Sequence, residues 1–181
     1  TLTPGNLMTT SDALDRSTAS LTRDERLSAA EVRGLVEGVL TGGIELAAFG
    51  RWLIALTEAG ETAIEIAGVA AALRGHMLPI DRSGLPAGAT VADTCGTGGD
   101  ASGSFNISTA AAIVVAAAGQ PVAKHGNRAV SSRTGSADVL TELGIRIDTP
   151  PEVASRCLAD LGICFCLAPV HHPAMARVGA L

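Results

Sequence analysis

The sequence has few aromatic residues: they make up 2% of its 181 residues, and tyrosine is absent. A core built from it must be aliphatic, and a surface that stacks nucleic-acid bases on aromatic rings has no material. Positive charge is also thin. Thirteen Lys and Arg stand against 18 Asp and Glu, for a net charge of −5, with no basic stripe to follow a phosphate backbone. Long apolar runs are missing. The longest, Ala110 to Ala118, falls well short of the roughly 20 residues a membrane helix needs, and no basic-then-apolar signal opens the chain. Four cysteines, Cys95, Cys157, Cys164 and Cys166, form no C-x-x-C. Cys164 and Cys166 would share one strand face, where geometry disfavours a bond between them. They read as reduced thiols of a cytosolic protein.

What is present is apolar and small: 47% of residues are hydrophobic, enough for a real core. Residues 1–20 are rich in Ser, Thr and Asp without a clear period and read as a loose leader, with Met8 a candidate natural start. Ser28 with Glu31 is a capping-box pattern. Val32, Leu35, Val36, Val39 and Leu40 follow at helical spacing, and Thr41-Gly42-Gly43 stops that helix. Residues 44–57 predict a second helix with Leu46, Phe49, Leu53, Ile54 and Leu56 inward, broken by Gly60. Thr62 and Glu65 open a third, through Ile66, Val69, Ala70 and Leu73. Residues 21–78 are therefore expected to form a helical unit, and the Pro- and Gly-bearing stretch 79–89 a linker.

The pattern then changes to strand 90–95, helix 106–119, strand 121–125, helix 136–143, an extended piece at 145–148, helix 151–161 and strand 163–167. That alternation predicts a parallel sheet with crossover helices over 90–169. Residues 170–181 predict a helix that ends without a cap, and three strands make a thin sheet, so the domain is expected to be incomplete.

Two strand ends carry the chemistry. Gly96-Thr97-Gly98-Gly99-Asp100 follows the first, and Lys124-His125-Gly126-Asn127-Arg128 follows the second. Glycines let backbone amides approach a ligand closely. The hydroxyl-rich stretch 102–109 ends in a helix N-terminus that adds donors. Ligands on parallel sheets sit beyond the carboxyl ends of the strands, so both loops are expected to face one crevice that holds a phosphorylated polyanion. Asn106 or Ser108 could cap the helix, and Ser136 the next one. Ser108 and Asp100 are hard oxygen donors able to meet a Mg²⁺ carried by a diphosphate. The residues also fit G-x-G-x-x-A, but the helix opens too late and Lys124 stands where a dinucleotide fold wants a carboxylate. A Walker lysine and G-x-S-x-G are both missing.

GTGGD, NIST, KHGNR-x-x-SS and GSAD, in this order and spacing, resemble the anthranilate phosphoribosyltransferase family. AGETAIEIAG before the linker and LGICFCLAPVHHPAM after the last crossover helix extend the resemblance from Leu21 to the end. It implies a helical dimerisation domain, and an α/β domain of the nucleoside phosphorylase and phosphoribosyltransferase type, here incomplete. It implies transfer of a phosphoribosyl group from phosphoribosyl diphosphate to anthranilate in tryptophan biosynthesis, with Mg²⁺, in a cytoplasmic homodimer. Carried over by motif, the diphosphate sugar would meet Gly96, Gly99, Asp100 and Ser104, then Asn106, Ile107, Ser108 and Thr109. Lys124, His125, Gly126, Asn127 and Arg128 would bind it from the second strand end, with Ser131, Ser132 and Ser136. Ser108 would touch the metal. Gly96, Asn127 and His172 would meet anthranilate. No acid–base residue stands out, so catalysis is expected to rest on positioning and electrostatics.

The resemblance places the family's acidic metal pair and the arginine for the anthranilate carboxylate after Leu181, so residues 1–181 alone are expected to show no turnover. Rival readings are a pyrimidine nucleoside phosphorylase and a non-catalytic relative that binds a ligand or nucleic acid. Asp93-Thr94-Cys95-Gly96 stands where the phosphorylases carry a Lys-His-Ser run, and the acidic net charge opposes nucleic acid.

Overall fold

The computed structural model describes residues 10–96, 105–129, 134–179 and 181. They fall into two compact units, residues up to Met77 with 174–181, and Leu78–Pro173.

The first unit is helical: α1 Thr10–Thr22, α2 Ala29–Leu40, α3 Leu46–Ala59 and α4 Ala63–His76. The expected capping box of Ser28 with Glu31 forms, and Thr62 with Glu65, expected to open the third helix, forms another. Gly60 ends α3 at a φ of 74°. The leader reading is corrected over residues 10–20, which lie in α1. Its inward stripe is Leu14, Ser17 and Leu21, and the buried Ser17 hydroxyl accepts from Trp52 Nε1 at 3.1 Å. A stripe containing serine does not register as apolar, which hides the helix.

The inward face of α3 is also corrected. Ala48, Phe49, Trp52, Ala55 and Leu56 are buried, whereas Leu53 and Ile54 lie on the exposed side. Trp52 stacks on Phe49 with ring centres 5.3 Å apart. On α4, Glu65, Gly68 and Ala72 face inward and Ile66 faces out. A Cβ on Gly68 would stand 2.6 Å from Ala29 O and 2.9 Å from Val32 Cβ, so glycine sets how closely α4 approaches α2. Ala174 and Val178 also pack on this core.

The second unit holds α5 Ile107–Ala117, β1 Val122–Gly126, α6 Ser136–Glu142, α7 Pro151–Leu161, β2 Ile163–Leu167 and α8 Ala168–His171. β1 and β2 pair in parallel, from Val122 with Ile163 to Gly126 with Leu167. Ala154 and Leu158 of α7 cover Cys164 and Cys166, free thiols whose sulfurs share a hydrogen bond at 3.9 Å. The expected first strand shrinks to one bridge, Ala92 with Val122. Residues 145–148 form no strand, although Ile147 is buried against Ala137, Leu140 and Leu167. The stretch 79–89 does more than link: Ile80 and Leu85 pack on the α7 cluster, and the Asp81 amide donates to Ser155 Oγ at 3.0 Å. The single helix expected over 170–181 is replaced by α8 and a 3₁₀ turn, Pro173–Arg177. Pro173 has no N–H to continue α8 and disfavours helical backbone at His172.

Candidate active site

Lys124 lies on β1, two residues before the strand's carboxyl end, and is only 3% exposed. It is the sole lysine of the chain. Its ammonium donates to Ser108 Oγ at 3.3 Å, in the first turn of α5. Burial pushes its pKa down, opposed by the charges of Asp93 and then Cys95. A buried cation thus stands at a helix N-terminus, itself the positive end of a dipole. Two positive features at one place create a potential that favours an anion.

The chain entering this site is held by side chains. Thr94 Oγ1 donates to Ser108 O at 2.7 Å. Asp93 Oδ1 accepts from the amides of Cys95 at 2.9 Å and His125 at 3.2 Å. At the start of α5, Asn106 occupies the cap position with no side-chain cap bond; its carbonyl accepts from the Thr109 and Ala110 amides, each at 3.1 Å. Thr109 Oγ1 is buried without a hydrogen-bond partner among the described residues. Ile107 is exposed, as is Gly96, whose carbonyl accepts from Cys95 Sγ at 3.5 Å.

His125 Nδ1 lies 4.0 Å from Cys95 Sγ, and its Nε2 is buried without a partner among the described residues. Its ring meets His172 edge-on, with centroids 5.6 Å apart. Burial, then the neighbouring His125 and His171, pushes the His172 pKa down. The structure therefore joins His125 and His172, which are far apart in sequence.

At the end of β1, a Cβ on Gly126 would stand 2.8 Å from the Phe165 ring and 3.1 Å from Ser136 Cβ, so a larger residue would force a neighbour to move. The Asn127 carbonyl accepts from the Ala137 amide at 3.2 Å, and its Oδ1 from the Arg128 amide at 2.8 Å. Arg128 is exposed, with Nη1 3.4 Å from Asp138 Oδ1. Asp138 Oδ2 accepts from the amides of Ala129 at 2.9 Å and Gly135 at 2.8 Å. These two amides, then Arg128, hold its carboxyl below the usual carboxylate range. One carboxylate thus ties Ala129 to Gly135. Ser136 is corrected as a cap: Gly135 holds that position and Ser136 is the first helical residue. Gly99, Asp100, Ser104, Ser131 and Ser132 lie outside the described residues. Asp93 and Asp138 were missed from sequence; an acid three residues after Gly135 was the available signal for Asp138.

As a metal site the described residues offer little. Ser108 gives one hard oxygen already facing an ammonium, and no group of three His, Cys, Asp or Glu among the described residues could hold a metal. That donor set suits Mg²⁺ arriving with a diphosphate rather than one caged by protein.

Residues 88–181 match the model of the glycosyl transferase family α/β domain, and residues 17–77 that family's helical bundle domain. The anthranilate phosphoribosyltransferase of Rhodopseudomonas palustris (strain BisB5) is 48% identical over 161 residues, 89% of this chain and 44% of that protein. That of Xanthobacter autotrophicus (strain Py2) is 51% identical over the same shares. The crystal structure of the Thermus thermophilus enzyme superposes with a TM-score of 0.77 at 38% identity, covering 91% of this chain and 49% of that one. The Saccharomyces cerevisiae enzyme in complex with phosphoribosyl diphosphate and Mg gives 0.77 at 26%, covering 93% and 50%. The chain spans about half the length of the relatives it matches. With its helical bundle and its α/β domain both matched, the chain belongs to the glycosyl transferase family.

Proposed function

We propose that the protein acts in transferring the phosphoribosyl group of phosphoribosyl diphosphate to anthranilate, giving N-(5-phosphoribosyl)anthranilate and diphosphate, in cytoplasmic tryptophan biosynthesis. The observation that carries this reading is the buried Lys124 ammonium on Ser108 at the N-terminus of α5. In the reaction the bond from the anomeric carbon to diphosphate breaks, the anthranilate nitrogen bonds to that carbon, and the amine loses a proton. The leaving diphosphate gathers negative charge, and fixed cations and amides aimed at it lower the barrier. Lys124 and the opening turn of α5 supply such charge. Ser108 Oγ would offer one hard oxygen to a Mg²⁺ bound with the diphosphate, an ion that would supply further neutralising charge. Gly99, Asp100, Ser104, Ser131, Ser132 and Ser136 would line the donor's path, and Gly96, Asn127 and His172 the acceptor's. A longer polypeptide that contains residues 1–181 should, with Mg²⁺ and excess phosphoribosyl diphosphate, consume anthranilate, followed by the loss of its fluorescence. Unchanged anthranilate alongside an active relative would overturn the proposal.

Asn127 separates the two substrates. It is exposed just past β1, and among the described residues its side chain bonds to the next amide. Asn127→Ala should raise the KM for anthranilate or lower kcat, with little change in donor KM. A defect confined to the donor would contradict the assignment.

The helical unit leaves Ile54 60% exposed on α3 and Ile64 61% exposed on α4. We propose that this unit forms the contact of a homodimer. Sedimentation velocity at micromolar concentration should give a dimer that Ile54→Glu weakens. A monomeric protein, or an unaffected variant, would overturn it.

A further inference from the structure

We infer that Asp138 is a positioning residue: its carboxylate clips residues 127–129 to the start of α6, and so fixes Asn127 and Arg128 beyond the end of β1. The role in turnover rests on the reading of Asn127 as an acceptor-binding residue and Arg128 as a donor-binding one. The pairing of β1 with β2 ends at Gly126 and Leu167, so the sheet no longer holds the chain where these two residues stand. The clip takes over. The Ala137 amide donates to Asn127 O at 3.2 Å. The amides of Ala129 and Gly135 both donate to Asp138 Oδ2, at 2.9 and 2.8 Å. Gly135 lets the two segments meet backbone to backbone: a Cβ on it would stand 2.6 Å from Arg128 C and 2.7 Å from Asn127 O. Its φ of −88° and ψ of 172° suit any residue, so space rather than conformation calls for glycine there.

The contacts of Asp138 differ in strength. Two amides on one carboxylate oxygen make short, charge-assisted bonds. The Arg128 contact, Nη1 to Oδ1 at 3.4 Å, joins side chains that are 62% and 30% exposed, and an ion pair that open to water contributes little. The carboxylate therefore fixes the backbone beneath Arg128 and releases the guanidinium to a phosphate at small cost. The Asn127 side chain is held to the same turn, its Oδ1 accepting from the Arg128 amide at 2.8 Å. One clip thus orients one residue for each substrate.

The test uses the longer polypeptide that contains residues 1–181. Asp138→Ala should raise the KM for phosphoribosyl diphosphate and the KM for anthranilate, each by about tenfold or more. Its Ala129 and Gly135 amides, followed by NMR, should exchange with solvent faster than in the wild type. Asp138→Asn keeps an oxygen for both amides and loses the charge that faces Arg128. It should keep slow exchange and hold both KM values within about threefold of wild type. Gly135→Ala disturbs the clip from its other side with Asp138 intact, and should reproduce the double KM defect. A merely structural Asp138 would lower the yield of folded enzyme and kcat while both KM values stayed put. That pattern, or an Asp138→Asn as impaired as Asp138→Ala, would overturn the inference. Should the variants fail to fold, the wild type decides: its Ala129 and Gly135 amides should be protected, and exchange at the unprotected rate would overturn the clip. A wild type that neither binds phosphoribosyl diphosphate nor consumes anthranilate would overturn the functional reading and the role in turnover with it, while the exchange rates separately decide the clip.

Discussion

Lys124→Met is expected to weaken phosphoribosyl diphosphate binding by about ten- to a hundredfold, the equivalent of one charged hydrogen-bonded contact, while anthranilate binding stays near the wild-type level. Methionine keeps most of the buried stem and removes the charge, so the loss reports the ammonium rather than a cavity. The same substitution should hold or raise the melting temperature. Burial lowers the Lys124 pKa from 10.5 in the folded state, so the folded protein carries the cation at a cost below that lowered value. As pH rises from the folded value towards the ordinary lysine value, the folded state releases its proton before the unfolded state does, and stability rises. That rise should vanish in Lys124→Met. Asp93, left behind, is exposed to water, so no buried charge is stranded. Calorimetric titration with the donor and Mg²⁺, with melting curves across the alkaline range, checks both halves. Equal losses for both substrates, or a large fall in melting temperature, would make Lys124 a structural residue.

Legibility from sequence followed how local the cause was. Helix α7 and strand β2 were read with correct ends because Pro151 opens the helix and Gly162, at a φ of 71°, closes it, signals contained in the residues themselves. The capping box of Ser28 with Glu31 was legible for the same reason. Helix α1 was not, because Ser17 belongs on its inward stripe only by virtue of Trp52, 35 residues away. The first strand was overextended because nothing local tells that Asp93 takes the rung meant for a carbonyl. In the site, Lys124 beside Ser108 followed from two element ends converging at one edge of a parallel sheet. The carboxylates that hold the frame did not follow: Asp93 and Asp138 bind backbone amides across 32 and 9 residues, contacts no local motif announces.

The same non-local logic makes Glu65→Ala a strongly damaging change in the helical unit, a loss of about 3 kcal/mol. Its sequence position marks Glu65 only as a capping residue; in the structure it is fully buried. Oε2 accepts from the Thr62 amide at 2.8 Å and the Thr62 hydroxyl at 2.7 Å, while Oε1 accepts from the Leu27 amide at 3.2 Å. One carboxylate thus caps α4 and pins the turn that leads into α2. Alanine would leave both amides unpaired. For a chain this size, the loss corresponds to a fall of about 6–12 °C in melting temperature. Burial pushes the Glu65 pKa up, but the Thr62 hydroxyl and amide, the Leu27 amide and the charge of Arg26 outweigh it and hold it below 4.5. A carboxylate depressed in the folded state stabilises fully above its unfolded value, and that stabilisation is lost as pH falls through the folded value. Glu65→Gln, which turns an N–H₂ group towards a donor, should therefore melt below the wild type at neutral pH, with the gap narrowing on acidification. Other carboxylates held low, such as Glu31 and Asp138, titrate in both proteins and cancel in the difference. A gap that persists unchanged into strong acid would show that Glu65 acts by shape alone.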